Sequence, residues 1–238
     1  MSDLHTRVAD TSAILEQVAR DFSPAVFASS LAAEDMVLTD LILKAGLPIG
    51  IFSLDTGRLN PETVAVIDAV RERYRYNIAV FHPQAEAVAN YVASNGLNAF
   101  YDSIEMRREC CRIRKVEPLG RALAGSRAWV TGQRRAQSST RAELAVQEDD
   151  AAHGNVKFNP LADWSEQDVW DYIRANNVPY NALHDQGFPS IGCAPCTRAI
   201  EPGEDVRAGR WWWENPDQKE CGLHMVDGKL IRIKSVAA

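Results

Sequence analysis

Residues 25–35 read AVFASSLAAED: a short apolar run, two serines, and small residues that lead into a helical pattern. The run Ala25–Ala28 predicts a buried strand, and residues 36–44 separate apolar from polar side chains with helical spacing. Three more apolar runs lie at 49–52, 77–81 and 128–130. Strands that alternate with helices of this length indicate an α/β fold, with a mostly parallel sheet and helices on both faces.

Length and composition exclude several classes of protein. The chain has 238 residues, which suits one large domain or two small ones. Apolar residues make up 46% and charged residues 24%, so the composition argues against a disordered or fibrous chain. No apolar run approaches the roughly 18 residues that cross a bilayer, and the N-terminus lacks the pattern of a secretory signal. We therefore predict a soluble, cytoplasmic protein with no membrane partner.

The second half of the chain suggests a boundary between a domain and a tail. Residues 131–156 are polar and lack strong periodicity, which is typical of a functional or mobile loop. A helix is predicted from Ser165, because Ser165 and Asp168 form a variant capping box. The last fifty or so residues are irregular and rich in Gly, Pro and Trp. We predict one α/β domain over 1–205 and a mobile C-terminal tail over 206–238.

Five cysteines stand in an uneven pattern that needs a chemical explanation. Cys110 and Cys111 are adjacent, Cys193 and Cys196 form a C-x-x-C pair, and Cys221 stands alone. An odd count leaves at least one thiol outside any intramolecular disulfide, and the cytosol keeps thiols reduced. Four thiolates suit either structural zinc or an iron–sulfur cluster, and adjacent cysteines reach separate irons more easily than one zinc ion. We favour one [4Fe-4S] cluster per chain; zinc and four unliganded buried thiols are the alternatives.

Two loops that follow predicted strands contain the residues of a ligand site. Ser29-Ser30-Leu31-Ala32 leads into a helix that begins near Glu34 and Asp35, and backbone N–H groups there can hold phosphate or sulfate oxygens. No Gly-Lys-Ser/Thr sequence follows, so this is not a Walker A loop. Leu54-Asp55-Thr56-Gly57-Arg58 follows the second strand, at the edge where α/β sheets bind ligands. The alternative to a ligand site is an ordinary helix cap for the first loop and an ordinary turn for the second.

Basic residues cluster near these motifs although the net charge is −6, which gives no help in binding duplex DNA. We therefore predict no nucleic-acid partner. Arginine suits bidentate recognition of phosphate and sulfate oxygens, although such clusters are also typical of solvated surfaces. The clusters comprise Arg107, Arg108, Arg112, Arg114 and Lys115, then Arg134, Arg135 and Arg141, then Arg207 and Arg210 before Trp211-Trp212-Trp213.

Cys221 carries a signal of its own near the C-terminus. Lys219 precedes it by two positions, and His224 follows it by three. Nearby positive groups lower the pKa of a thiol and make its thiolate a nucleophile. The pattern therefore indicates a candidate catalytic cysteine, and the alternative is an inert thiol in the tail.

In this order, the motifs resemble the assimilatory sulfonucleotide reductases, specifically the bacterial adenylyl-sulfate (APS) reductases with a [4Fe-4S] cluster. The resemblance covers roughly residues 20–226, and the series Cys-Cys, C-x-x-C and E-C-G-L-H is highly specific. Its other motifs are Thr131-Gly132-Gln133-Arg134-Arg135, Asn159-Pro160-Leu161, Trp164, Val178-Pro179-Tyr180-Asn181 and Gly209-Arg210-Trp211-Trp212-Trp213-Glu214. The resemblance implies an adenine nucleotide alpha hydrolase-like fold, related to the ATP-pyrophosphatases, with adenine-nucleotide binding in the 1–205 domain.

The resemblance also implies roles for individual residues. The cluster ligands would be Cys110, Cys111, Cys193 and Cys196, and Lys115 would link cluster and substrate electrostatically. Cys221, with His224 as a further catalytic residue, would attack the sulfur of APS, release AMP and keep a thiosulfonate. Thioredoxin or a glutaredoxin-like dithiol would then release sulfite. The substrate-binding residues would be Ser29, Ser30, Glu34, Asp35, Leu54, Asp55, Thr56, Gly57, Arg134, Arg135, Arg207 and Arg210.

Several alternatives stay beside this interpretation. The serine loop lacks both glycines of the ATP-pyrophosphatase pattern Ser-Gly-Gly-x-Asp-Ser, which argues against ATP and weakens an ATP-dependent iron–sulfur tRNA thiolase. A zinc-bound regulatory module would leave Cys221 and the arginines unused. A reductase of 3′-phospho-APS (PAPS) is the closest alternative, although members restricted to PAPS generally lack the four cluster cysteines. A homo-oligomer is possible, and the sequence does not decide whether Arg134 or Arg135 contacts substrate.

Overall fold

A computed structural model describes residues 2–138 and 141–214 of the chain. The α-helices in these ranges are α1 (Ser2–Asp21), α2 (Ala33–Lys44), α3 (Pro61–Tyr74), α4 (Ala85–Asn95), α5 (Ile104–Cys111), α6 (Glu117–Leu123) and α7 (Glu166–Asn176). The strands are β1 (Ala25–Ala28), β2 (Ile49–Leu54), β3 (Ala79–Phe81), β4 (Ala128–Val130), β5 (Gln147–Asp150) and β6 (Asn155–Phe158). A π-helix, Arg112–Val116, joins α5 to α6.

The strands form one six-stranded sheet in the order β3-β2-β1-β4-β6-β5. Neighbours are parallel from β3 to β6, whereas β5 runs antiparallel to β6. Ala28 at the end of β1 is opposite Phe52, and Val130 at the end of β4 is opposite Phe158. The carboxyl ends of the central strands therefore lie at one edge, which is the edge where open α/β sheets bind ligands.

Side chains alternate across the strands and form two different apolar cores. On one face, the strand residues in the core are Ala25, Phe27, Ile49, Ile51, Ala128, Val130 and Phe158, packed with residues of α1, α2 and α7. On the other face, the strand residues are Val26, Ala28, Phe52, Leu54 and Trp129, packed with Leu119 and Leu123 of α6. Because alternate residues pack against different helices, helices cover both faces of the sheet. The predicted fold class is confirmed.

The predicted elements agree with the structure where the signal is an apolar run or a cap. The strands at 25–28 and 128–130 are confirmed; β2 continues to Leu54, and β3 is confined to Ala79–Phe81. The capping box of α7 is also present. Ser165 Oγ accepts from Asp168 N at 3.1 Å, and Asp168 Oδ2 accepts from Ser165 N at 2.8 Å.

The interpretation of residues 131–156 as one loop is wrong, because the segment contains β5 and the first residues of β6. β5 reads Gln147-Glu148-Asp149-Asp150 and lies at the edge of the sheet. An edge strand pairs through its backbone while its side chains face solvent, so charged residues are tolerated there. Helix α1 is a further element that the sequence patterns did not predict, and its Leu15 and Val18 are buried in the larger core.

The predicted tail over 206–238 is described only as far as residue 214. Within that part, Arg210 forms an isolated antiparallel bridge with Thr197, and Trp211 is buried. Residues 215–238, with Cys221 and His224, lie outside the described residues, and the domain boundary stays a prediction. No helix within the described part of the chain has the length and apolar character needed to cross a membrane.

Candidate functional site

A cavity of about 690 Å³ opens at the carboxyl edge of the sheet. The predicted substrate residues that line it are Ser29, Ser30, Glu34, Asp35, Leu54, Thr56, Arg134, Arg207 and Arg210, and Lys115 lines it too. We call it the substrate cavity. A much smaller cavity lies beside it and is lined by Cys110, Cys111, Cys193 and Cys196; we call it the cysteine cavity. Lys115 and Trp211 line both cavities, so the two sites share a wall.

The loop after β1 has the shape of an anion site and is organised by one carboxylate. Asp35 Oδ2 accepts from Ser30 N at 2.6 Å and from Ser30 Oγ at 2.5 Å. Leu31 takes a left-handed conformation with φ of 65°, and its N–H donates to Ser29 Oγ at 3.2 Å. The loop ends at the N-terminus of α2, where backbone N–H groups and the helix dipole favour anions. Burial raises the pKa of Asp35 to about 6, although the bonds from Ser30 favour its ionised form.

Arg134 lines the substrate cavity but is held by protein oxygens. Its Nε and Nη2 donate to Glu34 Oε1 at 3.0 and 2.8 Å, and Gln137 Nε2 donates to the same oxygen at 2.8 Å. Its Nη1 donates to the carbonyl of Trp164 at 3.3 Å. This pair ties the loop after β4 to the first turn of α2. Arg134 therefore shapes the cavity wall through Glu34.

Arg135, by contrast, is not among the residues that line the substrate cavity. Its Nε donates to the carbonyl of Leu144 at 2.8 Å, and its Nη1 pairs with Asp163. These contacts tie the loop after β4 to Leu144 and Asp163. Of the two arginines that the sequence left open, Arg134 is therefore the one at the cavity.

The loop after β2 connects the substrate cavity to the cysteine cavity. Thr56 lines the substrate cavity, and its Oγ1 lies 3.2 Å from Cys193 Sγ. Its carbonyl accepts from Arg114 Nη1 at 2.7 Å. Asp55 and Gly57 do not line the substrate cavity; they form the turn, in which Gly57 N donates to Asp55 Oδ1 at 2.8 Å and Gly57 has a φ of 70°. Asp55 and Gly57 thus shape the loop that presents Thr56.

The four described cysteines come from two segments that pack together. Cys110 and Cys111 end α5. Cys193 caps the start of a short 3-10 turn, Ala194–Cys196, and Cys196 is the last residue of that turn. The carbonyl of Arg58 accepts from Ala194 N at 2.8 Å, and the carbonyl of Cys196 accepts from Trp211 N at 3.1 Å. All four side chains are buried. The sequence pairs are therefore brought to one place, as the four-ligand prediction requires.

The surroundings of the cysteines favour negative charge. Cationic side chains of Arg58, Arg114 and Lys115 line the cysteine cavity, and Arg107 lines it as part of an ion pair with Glu214. Burial raises the pKa of Cys196 to about 12. Burial also raises the pKa of Cys110, although the positive charge of Arg114 lowers it in part. A metal bound here would replace the protons of these thiols, and the nearby cations would then offset the charge of the thiolates.

The four thiols are a donor set that metals use. Within residues 2–138 and 141–214, no three His, Cys, Asp or Glu side chains are grouped around a single point as metal ligands. Four cysteines line one small cavity, and four thiolates bind either an iron–sulfur cluster or structural zinc. The residues present therefore fit an iron–sulfur cluster, and zinc stays the alternative.

The opposite wall of the substrate cavity is aromatic, and the sequence patterns did not identify it. His184 Nε2 accepts from Ala33 N at 3.2 Å, at the N-terminus of α2, and burial lowers the pKa of the imidazole. Trp170 meets the His184 ring edge-on at 5.2 Å and meets Tyr180 at the same distance. A neutral His184 thus closes the cavity beside the anion loop. Neither Trp170 nor His184 belongs to a recognisable local motif, although Trp170 contacts Tyr180, which does.

The phosphoadenosine phosphosulfate reductase domain family matches residues 24–199. The chain belongs to this family. An adenosine 5'-phosphosulfate reductase of Burkholderia cepacia is 63% identical over 223 residues, which are 94% of this chain and 89% of the relative. The predicted membership in the sulfonucleotide reductases is confirmed, and with it the prediction that the chain is an oxidoreductase.

Solved structures support the same family and fold. The phosphoadenylyl-sulfate (PAPS) reductase from Candida auris, a phosphate complex, is similar with a TM-score of 0.68 and 26% identity, covering 80% of this chain and 90% of that one. The FMN adenylyltransferase of Candida glabrata, with FAD and pyrophosphate, reaches a TM-score of 0.59 at 16% identity, covering 95% and 80%. The second likeness shows the fold alone. The predicted adenine nucleotide alpha hydrolase-like fold of this reductase-family chain is confirmed.

Proposed function

We propose that the protein reduces adenylyl sulfate (APS) to sulfite and AMP in assimilatory sulfate reduction. The observation that carries the proposal is the shared wall, in which Lys115 and Trp211 separate a nucleotide-sized cavity from four buried cysteines. The name of the relative that is 63% identical supports APS as the substrate. The proposed compartment is the cytoplasm, where thiols are kept reduced.

The substrate cavity offers the groups that an acid anhydride of sulfate and phosphate needs. In the proposal, the loop Ser29–Ala32 and the N-terminus of α2 bind phosphate oxygens through backbone N–H groups. Lys115, Arg207 and Arg210 hold the sulfate oxygens, since all three line the cavity. Leu54, after which the chain turns, borders the space for the nucleoside. Such pre-arranged cations stabilise negative charge on the leaving phosphate.

We propose that Cys110, Cys111, Cys193 and Cys196 hold one [4Fe-4S] cluster. The four buried thiols and the cationic side chains that line the same cavity support this assignment. When bound, the cluster supplies a charged, polarisable group beside Lys115, while the electrons of the reduction come from a dithiol. Lys115 then contacts both sites and adjusts the electrostatics of the substrate sulfate.

The proposed reaction has two steps, and Cys221 is the nucleophile. Its thiolate attacks the sulfur of APS, the sulfur–oxygen bond to phosphate breaks, and AMP leaves with the electron pair of that bond. Cys221 then carries a thiosulfonate, and His224 is proposed as a further catalytic residue. A thiolate of thioredoxin or a glutaredoxin-like protein attacks the Cys221 sulfur, and sulfite leaves with the electron pair. This attack leaves a mixed disulfide between the reductant and Cys221. The second thiolate of the dithiol then attacks the reductant's sulfur, which frees the Cys221 thiolate and leaves the dithiol as a disulfide, so the dithiol provides the two electrons.

The test combines iron and sulfide analysis, the mass of the intact chain and a comparison of APS with PAPS. Anaerobically purified protein should contain about four iron and four sulfide per chain. APS without reductant should give one AMP per site and a chain heavier by about 80 Da, and a thioredoxin-type dithiol should then release sulfite. Cys221→Ser is the matched control, which should bind APS, keep the iron and form no adduct.

The likeness to the Candida auris PAPS reductase makes PAPS the second candidate substrate. We expect kcat/KM for APS to exceed that for PAPS by orders of magnitude, because the relative that is 63% identical over 94% of this chain is named for APS. Equal or greater efficiency with PAPS would contradict APS specificity. Stoichiometric zinc without sulfide would contradict the cluster, and an adduct on a residue other than Cys221 would contradict the nucleophile.

A further inference from the structure

A buried ion pair joins the helix of the first cysteine pair to the last residue that the structure describes. Arg107, on α5, donates from Nε to Glu214 Oε1 at 2.5 Å and from Nη2 to Oε2 at 2.8 Å. The two side chains are only 1% and 4% exposed. Burying two charges costs desolvation that apolar side chains would avoid, so stability alone is a weak reason for such a pair.

The ion pair continues into a stack that reaches the substrate cavity. The guanidinium of Arg107 lies 4.5 Å from the ring centre of Trp211, and that of Arg210 lies 4.7 Å from it. Trp211 has a φ of 43°, an uncommon left-handed conformation for a bulky residue. Such a conformation persists only where surrounding contacts fix it. The segment 210–214 therefore leaves the wall of both cavities in one fixed direction.

Glu214 ends this segment close to the substrate cavity. Its N–H donates to the carbonyl of Trp211 at 2.9 Å, and Trp211 lines both cavities. Cys221 follows Glu214 by seven positions. Seven residues span at most ~25 Å, which is therefore the upper limit on the distance between Glu214 and Cys221.

We propose that Arg107 and Glu214 are positioning residues, which anchor and direct the chain that brings Cys221 to the substrate. This inference rests on the proposed function, in which Cys221 attacks APS. The alignment of the thiol matters more than the length of the chain that carries it. Lengthening that chain by a few residues lowers the effective thiol concentration by only about twofold. A misdirected nucleophile loses far more, because attack needs close approach and alignment.

The test is single-turnover adduct formation in full-length, cluster-loaded protein with APS and no reductant. Glu214→Gln removes the charge and keeps the shape, and we expect the adduct to form at least tenfold more slowly. Iron content should stay that of the parent protein. APS affinity, measured in a Cys221→Ser background with and without Glu214→Gln, should change by less than threefold. Glu214→Asp keeps the charge and should recover part of the lost rate.

A matched control removes the same charge elsewhere. Glu117 pairs with Arg121 at 2.7 Å near the surface of α6, and Glu117→Gln should form the adduct at the parent rate. If Glu214→Gln does not fold, the double variant Arg107→Met/Glu214→Met leaves no unpaired charge and should show the same slow step.

The outcomes separate this inference from the proposed function. A slowing below twofold, equal slowing in the Asp and Gln variants, or iron loss in proportion to rate would each overturn the anchoring role. If the parent protein itself forms no adduct on Cys221, the proposed function fails first, and the anchoring role fails with it.

Discussion

A single methyl group at position 132 should disturb both stability and substrate binding. Gly132 follows β4, and its φ lies outside the left-handed region, so glycine is needed there for space. A Cβ at this position would lie 2.1 Å from Asp35 Oδ1 and 3.2 Å from Asp35 N. Asp35 cannot turn away freely, because its other oxygen holds Ser30 N and Oγ at 2.6 and 2.5 Å. Gly132→Ala must therefore move Asp35 or the end of β4.

The cost can be assembled from two contributions. Overpacking in a close-packed site costs about 1–3 kcal/mol. Weakening a hydrogen bond to a charged group costs about 1.5–3 kcal/mol if Asp35 releases Ser30. If Asp35 moves to relieve the overlap, it weakens its bonds to Ser30, so the two costs replace each other in part and do not add in full. We therefore expect the free energy of unfolding to fall by about 2–4 kcal/mol. Ser30 would also lose its fixed orientation, so KM for APS should rise.

Anaerobic urea titration followed by tryptophan fluorescence would measure the change, with steady-state kinetics on APS beside it. The control is Gly120→Ala in α6, where a Cβ meets no atom within 4 Å. That change should stabilise the protein by about 0.5–1 kcal/mol, as replacing a helical glycine does. A Gly132→Ala protein with the parent unfolding midpoint and KM would refute the role assigned to Asp35.

Three further predictions concern buried polar groups. The pKa of Asp35 is raised to about 6, so the stability that its protonated form contributes is complete below pH ~4 and is lost as pH rises through 6. Between pH 5 and 7.5, urea titrations should show that the unfolding free energy of the parent falls by on the order of 1 kcal/mol relative to that of Asp35→Asn. Asp40 is fully buried and accepts two tyrosine hydroxyls at 2.6 and 2.7 Å, so Asp40→Asn should lower the unfolding free energy by about 1–3 kcal/mol, while exposed Asp171→Asn should not. Thr56→Val removes the hydroxyl beside Cys193 and should speed iron loss to a chelator, whereas Thr56→Ser should not.

The sequence predicted those parts of the fold and site that depend on local patterns. Strands such as Ala25–Ala28 are buried on both faces and show as continuous apolar runs, so they were found. Strand β5 was missed because it pairs at the sheet edge through its backbone and has four polar side chains. The grouping of the two cysteine pairs was predictable because four thiols in two pairs suit few other purposes.

Features that depend on distant residues were out of reach of sequence patterns. Arg134 pairs with Glu34, one hundred positions away, and nothing near either residue distinguishes that pairing from substrate contact. The π-helix 112–116 that places Lys115 on the wall of both cavities has no sequence signature of its own. The need for glycine at 132 likewise appears only when Asp35 is seen against it.

The arginines around the two cavities are of two kinds: some are paired with a carboxylate, and others donate to neutral oxygens. We infer a different role for each kind. Arg134 is paired with the Glu34 carboxylate and Arg107 with that of Glu214, so their fields are largely offset and they act by fixing structure. Arg114 instead donates to the neutral carbonyl of Thr56, and Arg58 donates to neutral oxygens of Leu97 and Asn98. Both line the cysteine cavity and keep their positive charge there. These charges favour an anion in the same cavity, and the metal-bound thiolates of the proposed cluster would be such an anion.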